Sequence, residues 1–246
     1  MRSVWGLVGA MQQFKRPHHR RIARVLCALD GSLLRDHHCL FAGGTAIALR
    51  YGEYRESVDI DFLVSEIVHY RTLRQLLRSP GGMTHLIRSG SEPWIRHGEI
   101  RADQYGIRTE LIVDDQPIKF DIVLEGRMRL EAPGAKDDLC GIAALTPLDM
   151  ATSKLLANSD RWADDGVFSR DVIDLAMMEP SLALLRGAVA KAEGAYGQTT
   201  LRDLEKAVRR LQERQGWLER CMEVMAMEMP KALLWSKLRA LLRVLD

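Results

Sequence analysis

Two short stretches decide the fold of this chain: FAGGTA at residues 41–46 and RESVDIDF at residues 55–62. A turn made of Gly43, Gly44 and Thr45 at the start of a helix offers backbone N–H groups to a phosphate. Asp59 and Asp61 alternate with apolar residues along a predicted strand, so both carboxylates point to one side and can share a divalent metal ion. The two stretches together predict a phosphate-binding turn beside a metal site.

Each of these two patterns has a simpler interpretation when it stands alone. A Gly-Gly turn is most often only a turn, and an Asp-x-Asp pair is most often a solvated strand end. Residues 58–64 alternate apolar and acidic and then become wholly apolar, which is typical of a buried strand's end. Two like charges held this close need a cation, or one of them must stay protonated.

A third carboxylate extends the pattern. Residues 117–124 form another predicted strand, and Asp121 lies among its apolar residues, where an unpaired charge would be costly. The alternative is an acid on an edge strand that points to water. Together with Asp59 and Asp61, Asp121 can hold two Mg²⁺ (or Mn²⁺) ions, the arrangement that serves in-line nucleotidyl transfer.

These residues resemble a known family. The glycine turn, followed by Arg55, Ser57, Asp59 and Asp61, resembles the first motif of the DNA polymerase β-like nucleotidyltransferase superfamily. More narrowly, it is similar to the AbiEii/AbiGii toxin family. The order and spacing of the motifs agree with that family over residues 38–178.

Two further segments carry the resemblance downstream. Residues 147–157 resemble the family's Lys-Leu-bearing helix, and residues 170–175 resemble its closing Lys-Asp-x-x-Asp element. The chain departs from the pattern in having Thr45 where many members have Ser, Arg170 where Lys is frequent, and Phe168 where an upstream Arg is common. Arg161 is a candidate for that missing charge.

The resemblance implies a metal-dependent enzyme that transfers a nucleoside monophosphate from an NTP to an acceptor hydroxyl. It implies that Asp59 and Asp61 bind both ions, and that Asp121 binds one ion and helps to deprotonate the acceptor. It also implies that the acceptor is the 3′ end of a tRNA, and that the protein is a growth-arresting toxin neutralised by a separate antitoxin. The predicted nucleotide-binding residues are Gly43, Gly44, Thr45, Arg55, Ser57, Lys154 and Asp174.

Lys154 lies on a predicted helix over residues 146–161, with Thr146 as its N-cap. Its position near the apolar stripe allows two interpretations: a lysine stem that packs while its amine reaches water, or a point charge that neutralises the phosphates. Asp171 and Asp174 are one helical turn apart. Asp174 would orient Lys154 or the nucleotide, whereas Asp171 with Arg170 would form a solvated pair.

Composition and charge limit the class of protein. A chain of 246 residues with 47% hydrophobic residues can bury a sizeable core. The mildly apolar residues 3–11 are too short to span a membrane and lack an export pattern, and the four cysteines have no metal-type spacing, so we expect a cytoplasmic protein. Residues 1–36 hold seven Lys or Arg against two Asp, which with Arg71, Arg74 and Arg78 gives a modest bias towards RNA. The pairs His18/His19 and His37/His38 lack the further ligands that metal binding needs.

The predicted fold class is α+β: a polymerase β-like domain with a small mixed sheet flanked by helices, and a C-terminal helical bundle. The patterns predict a helix to about residue 36, a helix over 45–51, a strand over 58–64, a helix over 66–78 and a hairpin of strands 107–113 and 117–124, with helices after residue 150. The predicted domains are residues 1–145, the catalytic domain with its N-terminal helix, and residues 146–246, which would contribute to the nucleotide site.

Two other functions remain open. A small-molecule nucleotidyltransferase, of the kind that modifies antibiotics, would use the same three acids with another acceptor pocket. A nucleotide-binding regulator without transfer activity would be expected to lose Asp121 or Lys154, and this chain keeps both.

Overall fold

The computed structural model describes residues 14–89 and 96–245, so the apolar stretch at residues 3–11 lies outside the described residues. Backbone contacts divide the chain into two units. The first comprises Met1–Glu53 and Ser57–Thr146, and the second comprises Tyr54–Glu56 and Pro147–Asp246. Tyr54–Glu56, which lies between the two parts of the first unit in the sequence, therefore belongs with the C-terminal unit.

A mixed sheet forms the centre of the first unit. Its strands run in the order β1-β2-β6-β5-β3, with β4 paired to β5, and β2 and β6 are parallel while the other pairs are antiparallel. This confirms the predicted small mixed sheet of an α+β fold. The strands are β1 Leu40–Ala42, β2 Ile60–Val64, β3 Arg96–His97, β4 Arg101–Ala102, β5 Gly106–Val113 and β6 Gln116–Leu124, with a separate pair of β7 Asp138–Leu139 and β8 Ile142–Ala143.

Because side chains alternate between the two sides of each strand, the sheet has an aromatic face and a polar face. Phe62 lies between Phe41 and Phe120, at ring-centroid distances of 5.6 and 5.5 Å, and all three rings are buried. Successive residues of a strand point to opposite faces. Asp61 and Asp121, each adjacent in sequence to one of these rings, therefore lie on the other face.

The hairpin of β5 and β6 has the predicted two-residue turn. Asp114 and Asp115 both have positive φ angles, 52° and 57°, which is the conformation of a type I′ turn. Each strand is slightly longer than predicted. The strand that carries Asp61 is shorter than predicted, because its ladder begins at Ile60, so Val58 and Asp59 precede it.

Among the described residues, the first unit has four α-helices: α1 Pro17–Ala28, α2 Gly31–Asp36, α3 Gly43–Arg50 and α4 Ile67–Arg78. The single N-terminal helix predicted to about residue 36 is wrong. The structure has two helices, α1 and α2, in this region. Asp30 lies between them, and the Asp30 side chain accepts hydrogen bonds from the backbone N–H groups of Ser32 and Leu33 at the start of α2. The helix predicted over 45–51 begins two residues earlier, at Gly43.

The second unit is helical, as its amphipathic patterns predict. Its helices are α5 Pro147–Arg161, α6 Arg170–Met177, α7 Leu182–Tyr196, α8 Thr200–Glu213, α9 Trp217–Val224 and α10 Lys231–Leu241. Helix α5 packs against α6, α7 and α8, and α10 packs against α6. Among the residues that the structure describes, no helix is both long enough and apolar enough to cross a membrane.

Candidate active site

The polar face of the sheet brings two of the predicted carboxylates together. Asp61 on β2 and Asp121 on β6 are direct partners in the parallel register, although 60 positions separate them in the sequence. Since β6 lies between β2 and β5, Asp121 is not on an edge, and it is 6% exposed. This excludes the interpretation of Asp121 as an edge-strand acid that points to water.

Asp121 has one carboxylate oxygen in an ion pair and one without a hydrogen-bond partner. Its Oδ2 lies 2.9 Å from Nζ of Lys119, while its Oδ1 is buried and accepts no hydrogen bond from the described residues. A buried anionic oxygen of this kind is costly unless a cation or donor is supplied from outside the chain. The carboxylates of this face therefore fit a divalent cation, a hard ion that prefers oxygen ligands.

Lys119 is a residue that the sequence interpretation missed. The hydrogen bond to Asp121 and the charges of Asp59 and Asp61 raise the pKa of Lys119, which keeps the amine protonated beside all three acids. The signal was present in the sequence, because Lys119 stands two residues before Asp121 and therefore shares its face of the strand.

The glycine turn lies directly against one of these acids. Gly43 has a φ angle of +71°, and a Cβ atom added to it would lie 2.2 Å from Oδ2 of Asp61. A side chain would therefore meet both backbone strain and a clash, so this position needs glycine. Helix α3 starts here, and Ala42 before it has no polar side chain to cap the first N–H groups, which leaves them for an anionic ligand.

Thr45 and Ser57 hold the backbone of the acidic segment. The Thr45 hydroxyl donates to the Asp59 carbonyl (2.5 Å) and is hydrogen-bonded to Oγ of Ser57 (2.8 Å). Both side chains are buried. We infer that these two hydroxyls position the turn and the strand start, and that contact with a phosphate falls to the backbone of Gly43 and Gly44, which are half-buried.

Behind Ser57 lies a second pair that the sequence did not reveal. His19 is fully buried in α1, its Nε2 accepts the Ser57 N–H (3.1 Å), and its Nδ1 therefore carries the proton shared with Oε1 of Glu53 (2.8 Å). This histidine supports the backbone of the motif. The pairing of His18 with His19 in sequence pointed only to a weak metal hypothesis, because the partner atoms come from other elements.

A cavity of about 370 Å³ opens beside Asp121. Its lining includes three basic side chains, Arg101, Arg108 and Lys119, together with Glu99 and Glu110. Arg108 lies opposite Asp121 in the antiparallel register of β5 and β6. The cavity therefore offers cations next to the predicted metal ligands.

The second unit holds a separate set of predicted site residues, which we call the buried charge cluster: Arg55, Lys154, Arg161, Asp171 and Asp174. Arg55 donates two hydrogen bonds to Asp174, at 2.6 and 2.9 Å. Nζ of Lys154 lies 3.0 Å from Asp171 Oδ1 and 2.8 Å from Asp174 Oδ2. Arg161 donates two hydrogen bonds to Asp171, at 2.7 and 3.0 Å.

Burial and charge act in opposite directions on the two aspartates of this cluster. Burial alone would raise the pKa of Asp174, but the charges of Arg55 and Lys154 outweigh it and hold that pKa well below its usual value. Burial would likewise raise the pKa of Asp171, and Lys154 and Arg161 lower it. Both carboxylates are therefore ionised and fully paired.

The cluster corrects two predictions about this region. Asp171 is 2% exposed and bound by Lys154 and Arg161, so it does not form a solvated pair with Arg170. Lys154 is also buried, so its amine does not reach water as one of the two interpretations required. Arg161 is the candidate for the basic charge that the family often has at the position of Phe168. In the structure, Arg161 contacts Asp171.

The first motif is divided between the units. Arg55 belongs with Asp174 in the second unit, whereas Ser57, Asp59 and Asp61 belong to the first. The predicted residues thus form two groups. One is the acidic face with its glycine turn, and the other is the buried charge cluster.

A protein-family profile described as "Nucleotidyl transferase AbiEii toxin, Type IV TA system" matches residues 24–244. The chain belongs to this AbiEii family. The match covers both groups of predicted site residues and confirms the family resemblance. The protein is thus a nucleotidyltransferase of a toxin family, and nucleotidyl transfer generally uses divalent metal ions.

Two solved structures share the fold. The chain is similar to the crystal structure of JHP933 from Helicobacter pylori, with a TM-score of 0.54 and 17% identity, over 94% of this chain and 92% of that one. A second H. pylori structure has a TM-score of 0.50 and 17% identity, over 92% of each chain. MenT4, a nucleotidyltransferase toxin from Mycobacterium tuberculosis H37Rv, has a TM-score of 0.49 and 14% identity, over 98% and 87%. No curated protein matches the chain.

Proposed function

We propose that this protein transfers a nucleoside monophosphate from an NTP to a hydroxyl of RNA, with the 3′ end of a tRNA as acceptor, and that the transfer depends on Mg²⁺. The observation that carries the proposal is the register of Asp61 with Asp121, together with the buried Oδ1 atom of Asp121, to which no described residue donates a hydrogen bond. Bound Mg²⁺ would supply positive charge to the attacking and leaving oxygens of an in-line displacement.

Each residue of the acidic face has a role in this proposal. Asp59, Asp61 and Asp121 would hold the metal, and Asp121 would accept the proton of the acceptor hydroxyl. The backbone N–H groups at Gly43 and Gly44 would bind the terminal phosphates, in the position that Thr45 and Ser57 maintain through their hydrogen bonds. Lys119 pairs with Oδ2 of Asp121, and the metal would take Oδ1, which no described residue satisfies.

The sequence also assigns Arg55, Lys154 and Asp174 to nucleotide binding, and this assignment stays part of the proposal. Lys154 would neutralise charge that builds on the phosphates during transfer. In the structure its amine is bound by Asp171 and Asp174, so it has one remaining N–H donor for a ligand. In this scheme residues 1–145 form the catalytic domain and residues 146–246 contribute to the nucleotide site.

Two cavities in the first unit carry arginines that can contact a polyanionic acceptor. The cavity beside Asp121 carries Arg101 and Arg108. A larger one, of about 760 Å³, is lined by Arg71 and Arg74 of α4 and by the exposed Tyr105. Arginines bind phosphates and an exposed aromatic ring can stack on a base, which is the combination found in single-strand binding sites. A small-molecule acceptor would need neither the second cavity nor its charge.

The proposal is tested by incubating the protein with each α-³²P-labelled NTP, Mg²⁺ and one of three acceptors: tRNA, total cellular protein, or an aminoglycoside. We expect label on tRNA, lost when a chelator is added and lost in Asp61→Asn. The matched control is Asp115→Asn, which removes an exposed carboxylate from the hairpin turn of the same sheet. Label on the aminoglycoside would support the small-molecule alternative, and NTP binding without any transfer would support a regulator.

A further inference from the structure

Three side chains outside the acidic face converge on the surface of the first unit. We call His38, Glu66 and His69 the His–Glu cluster. One nitrogen or oxygen atom of each lies within 4.8 Å of those of the others. His38 Nδ1 lies 2.5 Å from Glu66 Oε1, His69 Nε2 lies 3.4 Å from Glu66 Oε2, and the imidazole ring centroids are 4.6 Å apart.

The cluster has the ligand types and spacing of a transition-metal site. Two imidazoles and one carboxylate are the protein ligands of a common class of zinc sites that keep one position for water. Ligand atoms around a tetrahedral zinc ion are about 3.3 Å apart, given bonds of about 2.0–2.1 Å, so small side-chain rotations suffice here. Imidazole nitrogen favours zinc over Mg²⁺, which prefers oxygen ligands.

The electrostatics of the cluster favour a cation. The Glu66 carboxylate is hydrogen-bonded to His38, and His69 lies beside its second oxygen. Two ring nitrogens are directed at this one carboxylate. A metal ion can take the place of the protons that these nitrogens now share with Glu66. The neighbouring His37 differs, because its Nδ1–H donates to the Leu33 carbonyl (2.9 Å).

We propose that His38, Glu66 and His69 form a zinc site that is separate from the acidic face. His38 lies two residues before β1, and Glu66 lies two residues after β2. These strands are antiparallel neighbours with Leu40 opposite Leu63, so their ends meet at the cluster. Their other ends carry the Gly43 turn and Asp61. Zinc would thus join the two strands at the end opposite to the phosphate-binding turn.

In the sequence, the pair His37/His38 has no further Cys or His at a spacing suitable for a metal. The missing ligands are Glu66, the N-cap residue of α4, and His69 in the first turn of that helix, about 30 positions later in the chain. They reach His38 only because β1 and β2 pair.

The test is a calorimetric titration of chelator-treated protein with Zn²⁺. A parallel titration with Co²⁺ uses the visible absorption of that ion, which reports nitrogen and oxygen ligands. We expect one tight equivalent and a higher melting temperature with zinc. His69→Ala and Glu66→Gln should each weaken binding by at least about tenfold. His97→Ala, which removes an exposed histidine elsewhere in this unit, should bind zinc as the wild type does, and so should Asp61→Asn.

The variants separate this site from the acidic face. Loss of the tight equivalent in Asp61→Asn, with retention in His69→Ala, would assign the ion to the acidic face and overturn the proposal. A wild-type protein that takes up no equivalent would overturn it as well. Glu66→Gln preserves the shape and one hydrogen-bonding oxygen of the side chain, so its metal-free melting temperature distinguishes lost ligation from lost folding.

Discussion

The acidic face of the first unit and the buried charge cluster of the second both contain aspartates and a lysine, but they differ in whether the aspartate oxygens have partners. In the charge cluster, all four oxygens of Asp171 and Asp174 accept hydrogen bonds or ion pairs from Tyr54, Arg55, Lys154 or Arg161. On the acidic face, Asp121 keeps a buried oxygen that no described residue satisfies. Buried carboxylates whose oxygens are all paired within the protein are satisfied without a ligand. A buried oxygen without such a partner is costly, and a bound cation can remove that cost.

The largest expected effect is that of Asp61→Asn on the acidic face. Transfer should fall by about a thousandfold or more, because a metal ligand contributes several kcal/mol to the transition state. Stability in chelator should stay the same or rise, since one of several like charges is removed. Single-turnover transfer and thermal melting measure the two effects. Near-wild-type transfer would contradict the metal assignment, and Asp115→Asn provides the baseline.

Asp174→Asn should have the opposite signature. It leaves Arg55 and Lys154 buried without their shared carboxylate, so we expect the free energy of unfolding to fall by about 3–5 kcal/mol. Urea denaturation at pH 7 measures this loss. An unchanged urea midpoint would show that the cluster contributes little to folding.

The same variant tests the pH dependence of the cluster. The pKa values of Asp171 and Asp174 are lower in the folded protein than in the unfolded chain, where Asp has a pKa of about 3.9. Their stabilisation is therefore complete above that value and is lost as the pH falls below it. The stability difference between wild type and Asp174→Asn should shrink below about pH 4. A difference that stays constant to pH 3 would contradict the assigned pKa directions.

Lys154→Ala addresses the residue whose two roles are hardest to separate. Asp174 keeps Arg55 and Asp171 keeps Arg161 in this variant, so it should destabilise the protein less than Asp174→Asn does. If Lys154 also contacts the triphosphate, transfer should slow by about tenfold or more, the equivalent of a charge-assisted contact of about 1.5–3 kcal/mol. Lys154→Arg should restore transfer only in part, because a guanidinium is broader than an ammonium.

Nucleotide affinity and single-turnover transfer separate the two roles of Lys154. Unchanged values in Lys154→Ala, with a lower melting temperature, would make the lysine purely structural and assign the phosphate contact to other residues.

The smallest expected effect is that of Thr45→Val, which removes one hydroxyl behind the acidic face. The lost hydrogen bond to the Asp59 carbonyl should cost about 1 kcal/mol of stability. Transfer should fall only several-fold, because the metal ligands remain. Thr72→Val, which removes an exposed hydroxyl on α4, is the matched control. A loss as large as that of Asp61→Asn would assign the hydroxyl itself to substrate binding.

The local elements were predictable because they depend on neighbouring residues. The period-2 alternation around Asp61, the polar Asp114-Asp115 turn and the amphipathic helices after residue 150 are short-range patterns, and the structure confirms them. Their ends were less predictable. β2 starts at Ile60 because its pairing with β6 begins there, opposite Phe120, and the residues of β2 do not indicate which strand they pair with.

By itself, the sequence determined the chemistry that this protein has available: a glycine turn that only glycine can form, three carboxylates on or next to two strands, and the residues of the AbiEii family motifs. The tertiary structure alone decided which charges meet. It pairs Asp61 with Asp121, brings Lys119 into an ion pair with Asp121, and pairs Arg55 with Asp174 rather than with the residues next to it in the sequence motif. The reason is physical: backbone periodicity acts over a few residues, whereas charge compensation depends on contacts between segments far apart in the chain.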